Sequence, residues 1–463
     1  MADPSHHPIL LGNERGASEQ LRRELFEFLR IPSVSARSEF REDTRRAGQW
    51  VVDHLERSGL QAELLETGGH PVALGEWRGA GLDAPTLLIY GHYDVQPVEP
   101  LELWTAPPFE PEIREGRIYA RGSADDKGQL FLHLKALELL LEKNALPVNV
   151  VVLAEGEEEV GSQHLLPFVR EHRERLSADA VVISDSQMFA PGLPSLLFSL
   201  RGLAYVEVEV RGATSDLHSG AYGGAVPNPA TALSSIVASL HDSRGRVAIP
   251  GFYDRVVDWD PEVREGIRTL PFDEAAFRKS VGAPALGGEE GYSTLERLWI
   301  RPTCEVNGLL SGYTGEGAKT VLPATAMAKL SCRLVPDQDP TEVIDLIRHH
   351  VERVAPPEVE VSVRELHRGD PWRATPGGPW FEAAREALAE SFGREPVLTG
   401  EGGSIPIVAD FERELSTPAI LLGFALPGCN MHAPDEWFPD AHLELGISTL
   451  IRFYELLGSH LED

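Results

Sequence analysis

Residues 86–97 read TLLIYGHYDVQP, an apolar run from Thr86 to Tyr90 that passes through one glycine into His92 and Asp94. A run without polar alternation is what a strand covered on both faces requires, because each side chain meets protein whichever way it points. Similar runs occur at Val148–Ala154, Ala180–Ser184 and Ala419–Phe424. Between the first two, Leu130, Leu134, Leu137 and Leu141 recur at helical spacing. Strand, helix and strand therefore alternate, which predicts an α/β fold: a mostly parallel sheet flanked by helices.

Towards the N-terminus, Leu21, Leu25, Phe28 and Leu29 follow Ser18 at helical spacing until Pro32 stops the pattern. A second helix is expected from about Asp43 to Ser58, ending at Gly59. From Arg201 onward the character changes. Ala204–Arg211 reads AYVEVEVR, the period-two alternation of an antiparallel strand with one wet face, and Val359–Val363 alternates similarly. Together with Met327–Leu334 these predict an antiparallel sheet carrying helices on one side. The Pro- and Gly-rich stretch Leu366–Trp380 reads as a return linker. A chain of 463 residues exceeds what one core usually serves. We therefore expect a discontinuous body of residues 1–199 and 371–463 and an inserted α+β domain of residues 200–370.

A formal net charge of −30 argues against nucleic acid or an anionic membrane surface as a partner, since phosphate binding needs a basic field. Cys304, Cys332 and Cys429 are odd in number and lack CxxC spacing, so they indicate neither a disulfide framework nor a thiolate metal site. Small buried hydrophobes are the expected role. Met1–Leu11 carries Asp3, His6 and His7 and lacks a signal-like apolar run, and no later stretch approaches the ~18 residues of a membrane span. A cytoplasmic protein is expected.

The chemistry lies in where the polar residues fall. His92 and Asp94 follow one predicted strand, Glu157–Glu159 a second, Asp185 a third, and His432 follows Ala419–Phe424 through a loop with Pro427 and Gly428. In parallel α/β sheets, ligand sites gather beyond the carboxyl ends of the strands. Asp125 and Asp126 sit in a glycine-bounded loop directly before a helix and can join the same edge. Any one such His or Glu is ordinarily a solvated polar residue, but that does not explain why they share the ends of successive strands. Two imidazoles with several carboxylates suit Zn2+ or a similar borderline cation, and a carboxylate bridging two metals would create a nucleophilic hydroxide near neutral pH. A free Glu beside a metal-binding Glu would supply the base. The glycine-rich stretch Gly312–Gly317 lacks the strand and lysine of a phosphate loop, and His349 and His350 read as solvated helix residues.

The motifs Gly91-His-Tyr-Asp-Val-Gln-Pro97, Ala124-Asp-Asp-Lys-Gly128 and Glu155-Gly-Glu-Glu-Glu-Val-Gly-Ser162 resemble the metal-site motifs of the M20 peptidase family, in its carnosine dipeptidase-like branch. Ser215–Gly224, Gly402-Gly-Ser-Ile-Pro406 and Leu334-Val-Pro-Asp337 extend the resemblance over nearly the whole chain. It implies two divalent ions per subunit, Zn2+ first and Mn2+ or Co2+ as alternatives, with His92 and Asp185 on one, Glu159 and His432 on the other, and Asp125 bridging. Asp94 would orient His92. Counting back from Gly161-Ser162 makes Glu158 the general base and Glu159 the ligand; a register shifted by one would give those roles to Glu157 and Glu158. The resemblance further implies a homodimer formed through the inserted domain, which acts as a lid. His218 would reach the partner's site and help stabilise the oxyanion, while Arg333, with Asn307 and Ser404, would bind the substrate carboxylate. The implied substrate is a dipeptide or similar small amide. An N-acyl amino acid deacylase or desuccinylase keeps the same chemistry, and a catalytically silent peptide-binding homologue is the rival from another class.

Overall fold

A computed structural model of the chain describes residues 15–460 apart from Thr375 and Ser404. Its principal strands are β1 (Gln61–Leu65), β2 (Val72–Trp77), β3 (Thr86–His92), β4 (Asn149–Glu155), β5 (Ala180–Ile183), β6 (Ser195–Leu200), β7 (Gly202–Arg211), β8 (Thr303–Ser311), β9 (Thr325–Leu334), β10 (Glu360–Gly369) and β11 (Ala419–Leu421). The main helices are α1 (Arg15–Leu29), α2 (Arg41–Arg57), α3 (Lys127–Glu142), α4 (Pro229–Ala238), α5 (Pro340–Val354), α6 (Pro379–Phe392) and α7 (Asp440–His460).

The chain divides into two compact units, one of residues 1–198, 374–398 and 410–463 and one of residues 199–373 and 399–409. In the first, the sheet order is β1-β2-β4-β3-β5-β11-β6. Strands β4, β3, β5 and β11 run parallel, and the outer pairings β1–β2, β2–β4 and β11–β6 are antiparallel. Every residue of β3, β4 and β5 is buried, which is why these runs do not alternate. Helix α3 is buried from Lys127 through Leu137, so its apolar positions wrap most of its surface instead of forming one stripe. One continuous apolar core joins Leu25 and Phe28 of α1, Leu55 of α2, Leu134 of α3, Ile89 of β3 and Leu450 of α7. At roughly 1.5–3 kcal/mol for each fully buried large apolar side chain, this core fixes where the strand ends lie.

In the second unit the order is β8-β9-β7-β10, antiparallel throughout. The alternation in β7 puts Ala204, Val206, Val208 and Val210 inward, against Ile236 of α4 and Ile347 and Val351 of α5. Helix α5 starts where Asp339 accepts from the N–H groups of Thr341 and Glu342, with Pro340 in the first turn.

Three expectations need correction. Strand β10 continues through Leu366 to Gly369; a bulge at Leu366 interrupts its alternation and hides the strand in the sequence, so the linker begins at Asp370. Segment 399–409 groups with the second unit, where Arg201 N–H donates to Glu401 O at 3.2 Å. His350 is buried and shares a 2.8 Å hydrogen bond with Ser239 Oγ, whereas His349 is exposed. The three cysteines are buried and unpaired, and among the described residues no helix is long and apolar enough to cross a membrane.

The turn into α3 tolerates no side chain at Gly128, where a Cβ would lie 1.9 Å from the Ser123 carbonyl oxygen. Gly266, in the helix Pro261–Thr269, has nothing within 4 Å of its added Cβ. Gly128→Ala is therefore expected to lower stability by about 1–3 kcal/mol as an overpacked site. Gly266→Ala should raise it by up to about 1 kcal/mol through helix propensity. Urea denaturation of the two variants checks both signs.

Candidate metal centre

Strand β3 ends at His92, and Asp94 lies two residues beyond; Glu157–Glu159 follow β4, Asp185 follows β5 and His432 lies in the loop after β11. Asp125 lies two residues before α3. Single atoms of His92, Asp125 and Asp185 come within 4.8 Å of one another, and so do atoms of Asp125, Glu159 and His432. Asp125 is shared: its Oδ1 is 3.0 Å from His92 Nε2 and its Oδ2 is 2.8 Å from His432 Nε2. Asp185 Oδ2 stands 3.8 Å from His92 Nε2, and Glu159 Oε2 stands 3.3 Å from His432 Nε2.

Asp94 lies beside His92 and also bonds the next turn. His92 Nδ1 is closest to the Asp94 main-chain oxygen, at 3.1 Å, and 3.4 Å from its carboxylate. That carboxylate also accepts from the backbone N–H groups of Glu158 (3.3 Å) and Glu159 (3.1 Å), tying the turn after β4 to the end of β3. The three glutamates part ways. Glu157 accepts from His70 N at 3.0 Å and lies 2.8 Å from His164 Nδ1, away from the shared carboxylate. Glu159 accepts from Gln96 Nε2 at 2.7 Å through Oε2, while its Oε1 is buried without a hydrogen-bond partner. The charge of Glu158 is felt by His92.

The electrostatics are those of a centre with too many acids. Burial, then repulsion from Asp125, lifts Asp185 to about 7. Burial also raises Glu158 well above the usual carboxylate range, and burial with Asp125 raises Glu159. Asp125 is held low although burial opposes it, because His432 and His92 both bond it. Its partner His432 is raised to about 10 by Asp125 and Glu159. Acids that retain protons around imidazoles that bind them, with one buried carboxylate oxygen unmet, fit a site completed by cations. A further grouping of Glu24, His54 and Glu138 is different in kind, because the Lys135 ammonium already sits 2.9 Å from Glu24 and 2.7 Å from Glu138.

In the second unit, His218 caps a short helix: its Nδ1 accepts from Gly220 N at 3.0 Å and Ala221 N at 3.2 Å. Asn307 is the exposed bulge residue of β8, between Val306 and Gly308. Arg333 is half-buried on β9, paired with Leu203 and Thr303, and burial lowers its pKa. Burial, and then the Arg333 charge, bring Arg201 down to about 10, so two guanidiniums share this neighbourhood. The sequence reading missed Arg201, which no motif marks. Ser404 lies outside the described residues.

Two donor groups joined by one carboxylate, delivered by the ends of parallel strands, make the constellation of a two-metal hydrolase. The chain belongs to peptidase family M20/M25/M40, whose family model matches residues 88–456. It is 32% identical to the Cys-Gly metallodipeptidase dug1 of Schizosaccharomyces pombe, over 93% of this chain and 94% of that protein. It is 29% identical to the human Beta-Ala-His dipeptidase, over 87% and 83%. Among solved structures, an M20 family metallo-carboxypeptidase from Sulfolobus solfataricus superposes with a TM-score of 0.85 at 35% identity, covering 95% of this chain and 99% of that one.

Asp185 gives a pH test on the metal-free protein. A carboxyl raised from 3.8 to about 7 contributes stability that is complete below the lower value and lost as pH rises through the upper one. Asp185→Asn keeps the neutral shape at every pH. In chelator, its melting temperature is expected to gain on the native chain as pH rises from about 4 to about 7 and to level off above. A pH-independent difference would contradict the assignment.

Proposed function

We propose that this chain is a two-metal dipeptidase that hydrolyses the amide bond of dipeptides, and the carrying observation is the pair of donor groups joined at Asp125. His92 and Asp185 would hold one ion, Glu159 and His432 the other, with Asp125 between them. Zn2+ suits this mixed imidazole and carboxylate set, which also accepts Mn2+ or Co2+. When bound, two such ions lower the pKa of water at the centre and polarise the substrate carbonyl.

Glu158 then acts as the base. It takes the proton of the attacking water and hands it to the leaving amine, so it must carry a proton between two steps, and its buried setting favours the protonated form. Asp94 orients His92 and the Glu158 turn together. His218 accepts through Nδ1, so its neutral tautomer presents Nε2–H as a donor, which suits an oxyanion on the carbonyl of a substrate in the partner subunit. Arg333 would bind the substrate carboxylate in a bidentate manner, with Asn307 and Ser404 as further donors; the neighbouring Arg201 adds to the positive field that supports this reading.

The second unit would serve as lid and dimer platform. Val306, Leu309 and Leu310 are exposed on the edge strand β8, where apolar surface and unpaired backbone favour pairing with another copy. Three unpaired cysteines are consistent with a cytoplasmic setting.

The 35% identity to a metallo-carboxypeptidase favours a second reading, removal of C-terminal residues from longer peptides. A panel of dipeptides, longer peptides, and N-acetyl and N-succinyl amino acids separates these from the deacylase alternative. We expect dipeptides to turn over fastest; hydrolysis confined to acyl substrates would overturn the proposal. Glu158→Ala is expected to keep about two metals per chain by elemental analysis and to lose roughly 10²–10⁴-fold in kcat. Loss of a metal in that variant would move the base to Glu157. For the dimer, mixing Glu158→Ala with His218→Ala subunits should restore part of the activity, and no recovery after demonstrated subunit exchange would count against a shared site.

A further inference from the structure

Resting on the two-metal reading above, we infer that Glu436 is a positioning residue that holds the Asp125 loop in the shape that receives the ions. Glu436 is fully buried and is not among the candidate ligands. Its Oε1 accepts from the backbone N–H groups of Ala124 (2.8 Å) and Asp125 (3.1 Å). Its Oε2 accepts from Gly122 N (2.9 Å) and from the Arg121 guanidinium (2.7 Å). The Glu436 main-chain oxygen also accepts from Ala120 N at 3.2 Å.

A single carboxylate thus collects four donors, three of them backbone N–H groups of the short segment that ends in the shared aspartate. That segment cannot meet those donors itself, because its backbone turns through Gly122 at φ +83° and uses its carbonyls elsewhere: Gly122 O accepts from Gly128 N and Ala124 O from Gln129 Nε2. Bonds to a buried carboxylate are short and strong, and an amide N–H left without its acceptor at such depth is costly. Glu436 also lies four residues beyond His432. Between them the chain is closed by Trp437 N–H donating to Cys429 O at 2.9 Å and by Trp437 Nε1 donating to Gly428 O at 2.8 Å. The loop that presents His432 therefore carries the clamp for Asp125, so both sides of the Asp125–His432 pair are set by one piece of chain.

The competing role is a plain buried ion pair, in which Glu436 only neutralises Arg121. Full-length native protein, Glu436→Gln and the double variant Arg121→Met/Glu436→Gln separate the two. Each is melted in the metal-free form and titrated with Zn2+ against a chromogenic chelator. If Glu436 positions the loop, Glu436→Gln binds Zn2+ about 10- to 100-fold more weakly, the range found for residues that orient metal ligands. The double variant then stays weak, because one of the two oxygens that receive the loop N–H groups is still replaced by an NH2 donor and the carboxylate charge is still gone. If Zn2+ affinity in Glu436→Gln equals that of the native chain, or returns to it in the double variant, the proposal is overturned and the pair is structural only. Should Glu436→Gln fail to fold, the double variant, which leaves no orphaned cation, decides by the same affinity comparison. Failure of the native chain itself to bind Zn2+ would remove the two-metal reading, and this inference with it.

Discussion

The carboxylate of Asp125 lies between two imidazoles, 3.0 Å from one and 2.8 Å from the other, and the centre is arranged around that sharing. Asp185, Glu158 and Glu159 crowd the same space, and burial makes their charges costly, so two of them lean towards the protonated form and Asp185 shifts to about 7. A protein optimising stability alone would not bury this many acids together. Bound cations would ease the conflict, because Asp185 and Glu159 would each gain a partner, Asp125 would serve both groups, and Glu158 would be left as the free acid among them. The strain in charge is thus an argument about function, made from positions and burial.

Holding that arrangement requires the fold to control five separate chain segments. The parallel strands do part of this, since β3, β4 and β5 end at one edge of a sheet whose core allows little movement. The remainder is done by polar side chains that bridge segments: Asp94 from the β3 end to the turn after β4, Gln96 to Glu159, and Glu436 from the His432 loop to the Asp125 loop. Lys127 adds an anchor, its buried side-chain nitrogen donating to the carbonyls of Phe28 in the last turn of α1 and of Ile31 just beyond it. Asp94, Glu436 and Lys127 are fully buried and Gln96 half-buried, and the satisfaction of each depends on one geometry, which is how such groups select a single arrangement.

Much of this was legible in the residues. Apolar runs without alternation marked β3, β4, β5 and β11, alternation marked β7 and the start of β10, with Met327–Leu334 of β9 read beside them, and the acids and imidazoles stood past the strand ends. The antiparallel outer strands β1, β2 and β6 were not read, because QAELL and VALGEW are short and mixed and their pairing is decided by neighbours distant in sequence. Leu366 hid the continuation of β10 because a bulge breaks the period that reveals a strand. Glu436 and Arg201 carried no signal for a similar reason: a lone acid or base in a loop looks solvated until the fold shows what it touches. His350 looked exposed beside His349, yet successive positions on a helix face different directions, and only one of this pair faces Ser239.

The glutamates at 157, 158 and 159 show how backbone geometry divides identical side chains. The chain leaves β4, turns through a short helical segment at Glu158–Val160 and reverses at Gly161 with φ +92° and Ser162 with φ +48°. Within that turn, successive side chains are thrown in different directions, so one meets His70 and His164, the next lies near His92 and Asp185, and the third meets His432. Glycine at 161 is what the left-handed step admits without a steric penalty. The Gly161-Ser162 pair therefore sets the register physically, since moving the reversal by one residue would rotate each glutamate into its neighbour's surroundings. Asp94 reinforces that choice by bonding the N–H groups of Glu158 and Glu159 and not that of Glu157, so the same carboxylate that steadies His92 also fixes which glutamates turn towards Asp125.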